Sequence, residues 1–204
     1  MEIGLAGLSP DGAYFILTQA LIPRPIAWVL SENPGGSLNL APFSWFNAVC
    51  ADPPLVLLSI SRRRDGSPKD TWSNISARGD FVVHIPHVAQ AGAVNESSAS
   101  LPPGVSEVDH LGLATVPFAG SRLPRLADCR LAMACVRHDI LTVGHSGQSL
   151  ILGEVKSLFV DDDAVVLDAK GRVRILAEGL EPLGRLGVGE YVAFGEKLKL
   201  PPVP

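Results

Sequence analysis

This chain has little of what usually assigns a function quickly. No apolar run approaches the roughly 20 residues that a membrane-crossing helix needs. Its start, Met1-Glu2-Ile3-Gly4, lacks the basic stretch of a secretory signal. Cysteine is scarce: only Cys50, Cys129 and Cys135 occur, with no Cys-x-x-Cys pair. That excludes a disulfide framework and predicts reduced, buried thiols in a cytoplasmic protein. Charged residues make up 19% of 204 positions, the net charge is −4, and the longest basic run is Arg62-Arg63-Arg64. No nucleic-acid footprint and no membrane partner are expected from such a balance.

Catalytic and metal signatures are equally thin. His84 and His87 bracket Ile85-Pro86 with no third ligand nearby, so no zinc or other metal is expected. Asp161-Asp162-Asp163 lacks the further carboxylates of a calcium loop and reads as a turn. No serine sits in a nucleophile-elbow glycine pattern. The glycine-rich tail around Gly184-Arg185-Leu186-Gly187 follows no clear strand and makes no dinucleotide fingerprint.

What the chain does have is apolar content, 47% of its residues, with a mean hydropathy of +0.26. Its length suits one domain over residues 1–204 with a sizeable core. Apolar excess without a membrane segment predicts burial between subunits, hence a homodimer.

Read in order, Ser9-Pro10 opens a helix through Ala20, with Ser9 as N-cap and Pro10 at the first helical position. Pro23 and Pro25 end it. Pro25 to Ser31 is a strand, Asn33 to Ser37 a hairpin turn, and Leu38 to Cys50 a second strand made irregular by Pro42. Leu55 to Ser61 forms a third, after the break at Asp52-Pro53-Pro54. A polar loop leads to a helix from Asp70 to about Arg78, stopped by Gly79. A strand at Phe81 to Pro86 and a small-residue helix near Val88 to Asn95 follow. Residues 96–124 read as a long surface excursion, and Cys129–Thr142 with Ser149–Val160 as a long hairpin. The sum is a mainly β, antiparallel barrel with a few short helices.

Residues 22–74 concentrate the chemistry. Two apolar strands end in small polar residues, and a helix start lies within ten residues, a layout that can hold a flat heteroaromatic ring near a phosphate. Ser59 and Ser61 share one face of their strand. Lys69, Asp70 and Thr71 suit a phosphate, although Asp70 equally suits a plain helix cap. Arg62 is either a second phosphate ligand or a solvated loop charge. Trp45 and Phe46 either border the ring or belong to the core.

Taken together, Pro23-Arg24-Pro25-Ile26-Ala27-Trp28, Asn39-Leu40-Ala41-Pro42-Phe43-Ser44, Asp52-Pro53-Pro54, Ser59-Ile60-Ser61 and Lys69-Asp70-Thr71 with Asn74 resemble the flavin reductase-like, FMN-binding split-barrel family. Weaker echoes are Asn95-Glu96-Ser97-Ser98-Ala99, Leu123-Pro124-Arg125 and Leu152-Gly153-Glu154-Val155. The resemblance covers about residues 10–160. It implies a Greek-key split β-barrel dimer with FMN at the subunit interface, and an FMN-dependent oxidoreductase that uses NADH or NADPH and serves a flavin, a monooxygenase or another redox partner. By analogy, Asn39, Ala41, Pro42, Ser44, Trp45 and Phe46 line the flavin ring and ribityl chain. Ser59 and Ser61 reach its polar edge and chain, and Arg62, Lys69, Asp70 and Thr71 surround the phosphate. No catalytic side chain is implied. One departure stands out: Ser146-Gly147-Gln148-Ser149 occupies the place of a Gly-Asp-His group, with Gln148 where the family's histidine stands. The alternative is therefore an FMN-binding electron carrier without NAD(P)H turnover of its own.

Overall fold

The stretch Ile26–Leu30 is apolar at every position because both of its faces are buried. In the computed structural model, which describes residues 1–102 and 104–201, Ala27 and Val29 enter one core while Ile26, Trp28 and Leu30 enter another. A strand covered on both sides has no solvent face to mark with polar residues.

The chain begins with α1 (Pro10–Ala20), whose cap Ser9 accepts a hydrogen bond from the Gly12 N–H. Next come β1 (Arg24–Pro25), β2 (Ala27–Glu32), β3 (Leu38–Phe43), β4 (Phe46–Ala51) and β5 (Pro54–Ile60). Helix α2 (Asp70–Arg78) and strand β6 (Asp80–His84) lead to a 3-10 turn, α3 (Ala91–Glu96) and α4 (Glu107–His110). Strands β7 (Thr115–Val116), β8 (Arg125–Leu126), β9 (Leu131–Val143) and β10 (Gln148–Val160) follow. The last part holds β11 (Val165–Leu167), β12 (Val173–Ile175), α5 (Ala177–Leu180), β13 (Gly184–Arg185) and β14 (Tyr191–Val192).

One antiparallel sheet of seven strands, ordered β3-β2-β6-β9-β10-β5-β4, carries the fold. Its two edge strands are consecutive in the chain. Ala27 pairs with Phe43 on one edge and Phe46 with Leu58 on the other, so Ser44-Trp45 carries the chain from edge to edge. This bends the sheet toward itself as a split barrel. The expected single strand over Leu38–Cys50 is thus two strands, broken at Ser44-Trp45 and not at Pro42. Pro42 stays in register opposite Trp28, since β3 has only one hydrogen-bonded neighbour and can spare a donor.

The inner core is built on Val29, Leu58, Ile75, Phe81 and Ile151, and the outer on Trp28, Leu30, Leu40, Val82 and Leu126. Gly153 is required where it stands, because a Cβ there would lie 2.3 Å from the Phe81 ring. His84 ties the layers together. Its Nδ1 faces the Trp28 carbonyl at 3.1 Å, and its Nε2 accepts the Leu126 N–H at 3.0 Å. That pattern demands the neutral ring, and burial pushes its pKa down to about 4.

Three further expectations change. The surface excursion contains α4, whose buried Glu107 accepts the Leu40 N–H at 2.9 Å, pinning the excursion to β3. The tail is organised: β13 pairs with β1, and β14 with β13. Cys129 and Cys135 are buried, with thiols raised to about 12 by desolvation, but Cys50 is exposed on the edge strand β4. Among the described residues, no helix is long and apolar enough to cross a membrane.

Candidate functional site

Two cavities meet where β3 ends and α2 begins. The first, about 280 Å³, lies over the ends of β3 and β5; the second, about 170 Å³, lies between β3, the start of α2 and residues 97–101. Both are lined by Pro42, Phe43, Lys69 and Ser98, so they are compartments of one cleft. Together they fall within the roughly 300–1,000 Å³ range of small-molecule sites.

The smaller compartment is built on α2. Lys69 holds the N-cap position in extended conformation, and no side chain caps the helix. The first N–H groups of an α-helix have no intrahelical partner and carry the positive end of its dipole. Lys69 adds an ammonium held below its ordinary pKa by burial and by the charge of Arg63. Arg63 pairs with Asp70 at 2.6 Å, so Asp70 serves as its counter-ion and does not occupy the cap. Below this entrance, the Asn39 amide donates to Thr71 Oγ1 at 2.9 Å and Ser31 Oγ at 3.2 Å, while Asn74 donates to Ser31 Oγ at 3.1 Å. These buried side chains lock β2, β3 and α2 together, so the helix start cannot drift from the strand ends.

The larger compartment has a polar floor and an aromatic wall. Ser59 and Ser61 both face it, and Gln148 Nε2 donates to Ser59 Oγ at 2.9 Å. Its wall is Trp45, stacked on Tyr14 with centroids 5.9 Å apart and planes 14° from parallel. Arg24 holds that corner. Its guanidinium donates to the carbonyls of Thr18, Leu21 and Leu186 and to Ser44 Oγ. Burial lowers the Arg24 pKa, Tyr14 raises it and Arg185 lowers it again. Arg185 and Tyr191 close the far end, the guanidinium carbon 4.5 Å from the ring centroid. The Trp45 Nε1 and one Arg185 nitrogen are buried here without a hydrogen-bond partner.

Of the expected site residues, Asn39, Ala41, Pro42, Ser44, Trp45, Ser59, Ser61, Lys69, Asp70 and Thr71 border one compartment or both. Two do not. Phe46 packs partly buried against the inner core, because the step at Ser44-Trp45 turns it onto β4. Arg62 is exposed, reaching the Gly66 carbonyl at 3.3 Å and lying beside Gly147. Arg63 is the arginine that borders the smaller compartment. The sequence reading missed Arg63 although it is adjacent to Arg62; only the turn closed by Arg63–Ser67 and Gly66–Arg63 backbone bonds decides between them. Tyr14, Arg185 and Tyr191 had no local signal, since they come from opposite ends of the chain. Gln148 lines the larger compartment beside Ser59.

A helix start flanked by two cations fits a phosphate, and the Ser59, Ser61 and Gln148 side chains beside a flat aromatic wall fit a ring bearing carbonyl and imino groups. These are the requirements of a flavin nucleotide. The flavin reductase-like domain profile matches residues 19–177. The chain belongs to the flavin reductase-like family. This flavin reductase-like chain is 37% identical to an uncharacterised protein of Halalkalibacterium halodurans, BH2278, over 98% of its own length and 95% of that protein. Its structure is similar to nitrilotriacetate monooxygenase component B from Bacillus cereus, with a TM-score of 0.89, 35% identity and 98% of each chain covered. It is also similar to 2-nitrobenzoate 2-nitroreductase from Pseudomonas fluorescens, with a TM-score of 0.88, 28% identity, and 100% of this chain and 96% of that one covered. The family and fold make this a flavin-dependent oxidoreductase on a split-barrel scaffold.

Proposed function

We propose that this cytoplasmic protein, one flavin reductase-like domain over residues 1–204, binds FMN across the joined compartments as a homodimer and works as an NAD(P)H-dependent reductase. It would deliver electrons to a flavin or to a redox partner such as a flavin-dependent monooxygenase. The observation that carries this reading is the position of Lys69, common to both compartments and set at an uncapped helix start. In that place Lys69 and Arg63 neutralise a phosphate, while the α2 N–H groups receive its oxygens.

A flavin held there by these residues would supply the redox chemistry. The protein's part is positional. Asn39 and Thr71 keep the phosphate end in register with the β3 strand end. Ser59, Ser61 and Gln148 present hydroxyl and amide groups to the polar edge of the ring. Trp45 and Tyr14 exclude water from one side. Hydride transfer depends on close stacking of the reacting rings, so no acid–base side chain is needed.

Dimerisation is supported by apolar side chains left in solvent on β4 and the far half of β9, including Val49, Val136, Leu141 and Val143. A second reading, an FMN electron carrier reduced by another protein, is favoured by one observation. Gln148 stands in place of the histidine and its amide is already engaged with Ser59. Visible absorption of the purified protein, followed by anaerobic NADH or NADPH, separates the two. A yellow protein that bleaches is the reductase. One that stays yellow is the carrier, and one that neither arrives yellow nor takes up FMN refutes both.

A further inference from the structure

Two carboxylates share the compartment that suits a phosphate. Its charged lining residues are Arg63, Lys69, Asp70 and Glu107. Arg63 and Asp70 pair with each other at 2.6 Å, whereas Glu107 makes no ion pair among the described residues. With all four groups ionised, their charges sum to zero. That balance suits a phosphate poorly, because an entering anion meets a free carboxylate as well as the helix start.

Glu107 is also fixed in place. It is 7% exposed, and its Oε2 accepts the Leu40 N–H at 2.9 Å. Its helix α4 is capped by Ser106, whose Oγ accepts the Asp109 N–H at 3.2 Å. Just before α4, the Gly104 carbonyl accepts from Ser37 Oγ at 3.0 Å, which ties the excursion to the turn between β2 and β3. The second oxygen is different. Oε1 has no hydrogen-bond partner among the described residues and is not sealed from solvent, so it is the atom open to the cavity. Burial raises the Glu107 pKa above the ordinary carboxylate range. The N–H groups of Leu40 and of Glu107 itself lower it, the Asp70 charge raises it and His110 lowers it.

We propose that Glu107 binds the phosphate end of the flavin as the neutral acid, Oε1–H donating to a phosphate oxygen while Oε2 keeps the Leu40 N–H. This rests on the reading of the cleft as an FMN site. Two acids brought this close do not both stay fully ionised, so the pair takes one proton from solvent on binding. With Glu107 neutral, the lining charges sum to plus one beside the positive end of α2. The groups that face Glu107 are Asp70, Lys69 and Arg63 at the start of α2, and Asp109 and His110 on its own helix. Strand β3 and residues 97–101 present uncharged side chains. Asp70 already has Arg63 as its counter-ion, which leaves Glu107 as the carboxyl that takes the proton. Because the loaded protein holds this proton more tightly than the free one, binding is strongest at low pH. It weakens as pH rises through the Glu107 value in the complex, by at most about tenfold per pH unit for one proton.

The test is titration of the native protein and Glu107→Gln with FMN and with riboflavin, which lacks the phosphate, at about pH 6, 7 and 8, spanning the range above the second phosphate ionisation. Calorimetry near pH 7 in two buffers of different ionisation enthalpy counts the protons taken up. Native FMN affinity is expected to fall about three- to tenfold or more across the range, with proton uptake on binding. Riboflavin binding should stay level. In Glu107→Gln the FMN affinity should also stay level, since the amide donates as the neutral acid does and its carbonyl keeps the Leu40 N–H. Level FMN binding by the native protein overturns the proposal, and this needs no variant to fold. A fall shared by riboflavin overturns it, because the proton is then not linked to the phosphate. A fall that persists in Glu107→Gln overturns it too and moves the proton to another group, such as Lys69. A native protein that binds neither flavin at any pH refutes the flavin reading itself and this proposal with it, whereas FMN binding that ignores pH refutes the part of Glu107 alone.

Discussion

The two ends of the cleft are made in opposite ways. The end around Lys69 is assembled from Asn39 to Thr71 and the nearby segment from Ser97 to Glu107, neighbours along one half of the chain. The outer wall of the larger compartment is assembled from Tyr14 near one terminus, Trp45 in the middle and Arg185 with Tyr191 near the other. The first end is polar, hydrogen-bonded and locked between two strands and a helix. The second is aromatic and keeps donors unsatisfied. Binding of a common cofactor fits the first end, with its uncapped helix start; the composite end can change in a few residues without disturbing the barrel.

That contrast can be broken from several directions. The largest effect concerns the scaffold both ends share. His84 is held neutral, its pKa lowered from 6.5 to about 4 by burial. The unfolded chain therefore takes up the proton first as pH falls. Stability is full above about 6.5 and is lost progressively toward pH 4, by a limit of roughly 3 kcal/mol. Urea unfolding at pH 5 and pH 7.5 measures this, and His84→Gln should flatten the slope. An unchanged slope would show that His84 does not set it.

Next, Lys69→Ala should weaken FMN binding by about ten- to a hundredfold, the loss of one charge-assisted contact, with little change in the unfolding midpoint. Flavin titration followed by absorbance checks it; unchanged affinity would remove the phosphate assignment. Gly187→Ala acts on the other end. Its Cβ would press on Gln19, costing about 1 kcal/mol and shifting the tail against α1. FMN affinity should hold while the unfolding midpoint falls. If FMN affinity fell equally, the two ends would not be separable.

The smallest effect is expected at the rim. Gln148→Ala removes the bond to Ser59, worth about 1 kcal/mol or less at a half-buried site. Stopped-flow reduction by NADH should change little in this variant. A large change would give Gln148 a direct part in donor binding.

The legibility of the sequence follows the same division. Helix α2 was expected at Asp70 to Arg78 and is found there, because Gly79 stops it with φ of 84° and its partners Asn39 and Asn74 are near in the chain. The long β9–β10 hairpin was equally plain. Phe46 and Arg62 flank turns whose direction only packing sets: Phe46 follows the step at Ser44-Trp45 and packs on the inner core, and Arg62 precedes the Arg63–Ser67 turn and lies beside Ser61 and Lys69 outside the two main compartments. Cys50 looked like a core thiol because its strand is apolar, yet β4 is an edge with an open face.

Local order in the chain was enough to specify the barrel strands, the helix start at Asp70 and the polar strand ends, since hydrogen-bond partners a few tens of residues apart leave periodic and capping signals. The joining of α1 to the tail, the choice of Arg63 over Arg62 and the meeting of Tyr14, Trp45, Arg185 and Tyr191 arose only on folding. Those contacts join residues as far apart as Arg24 and Leu186, and no pattern within a strand or helix records a partner that distant.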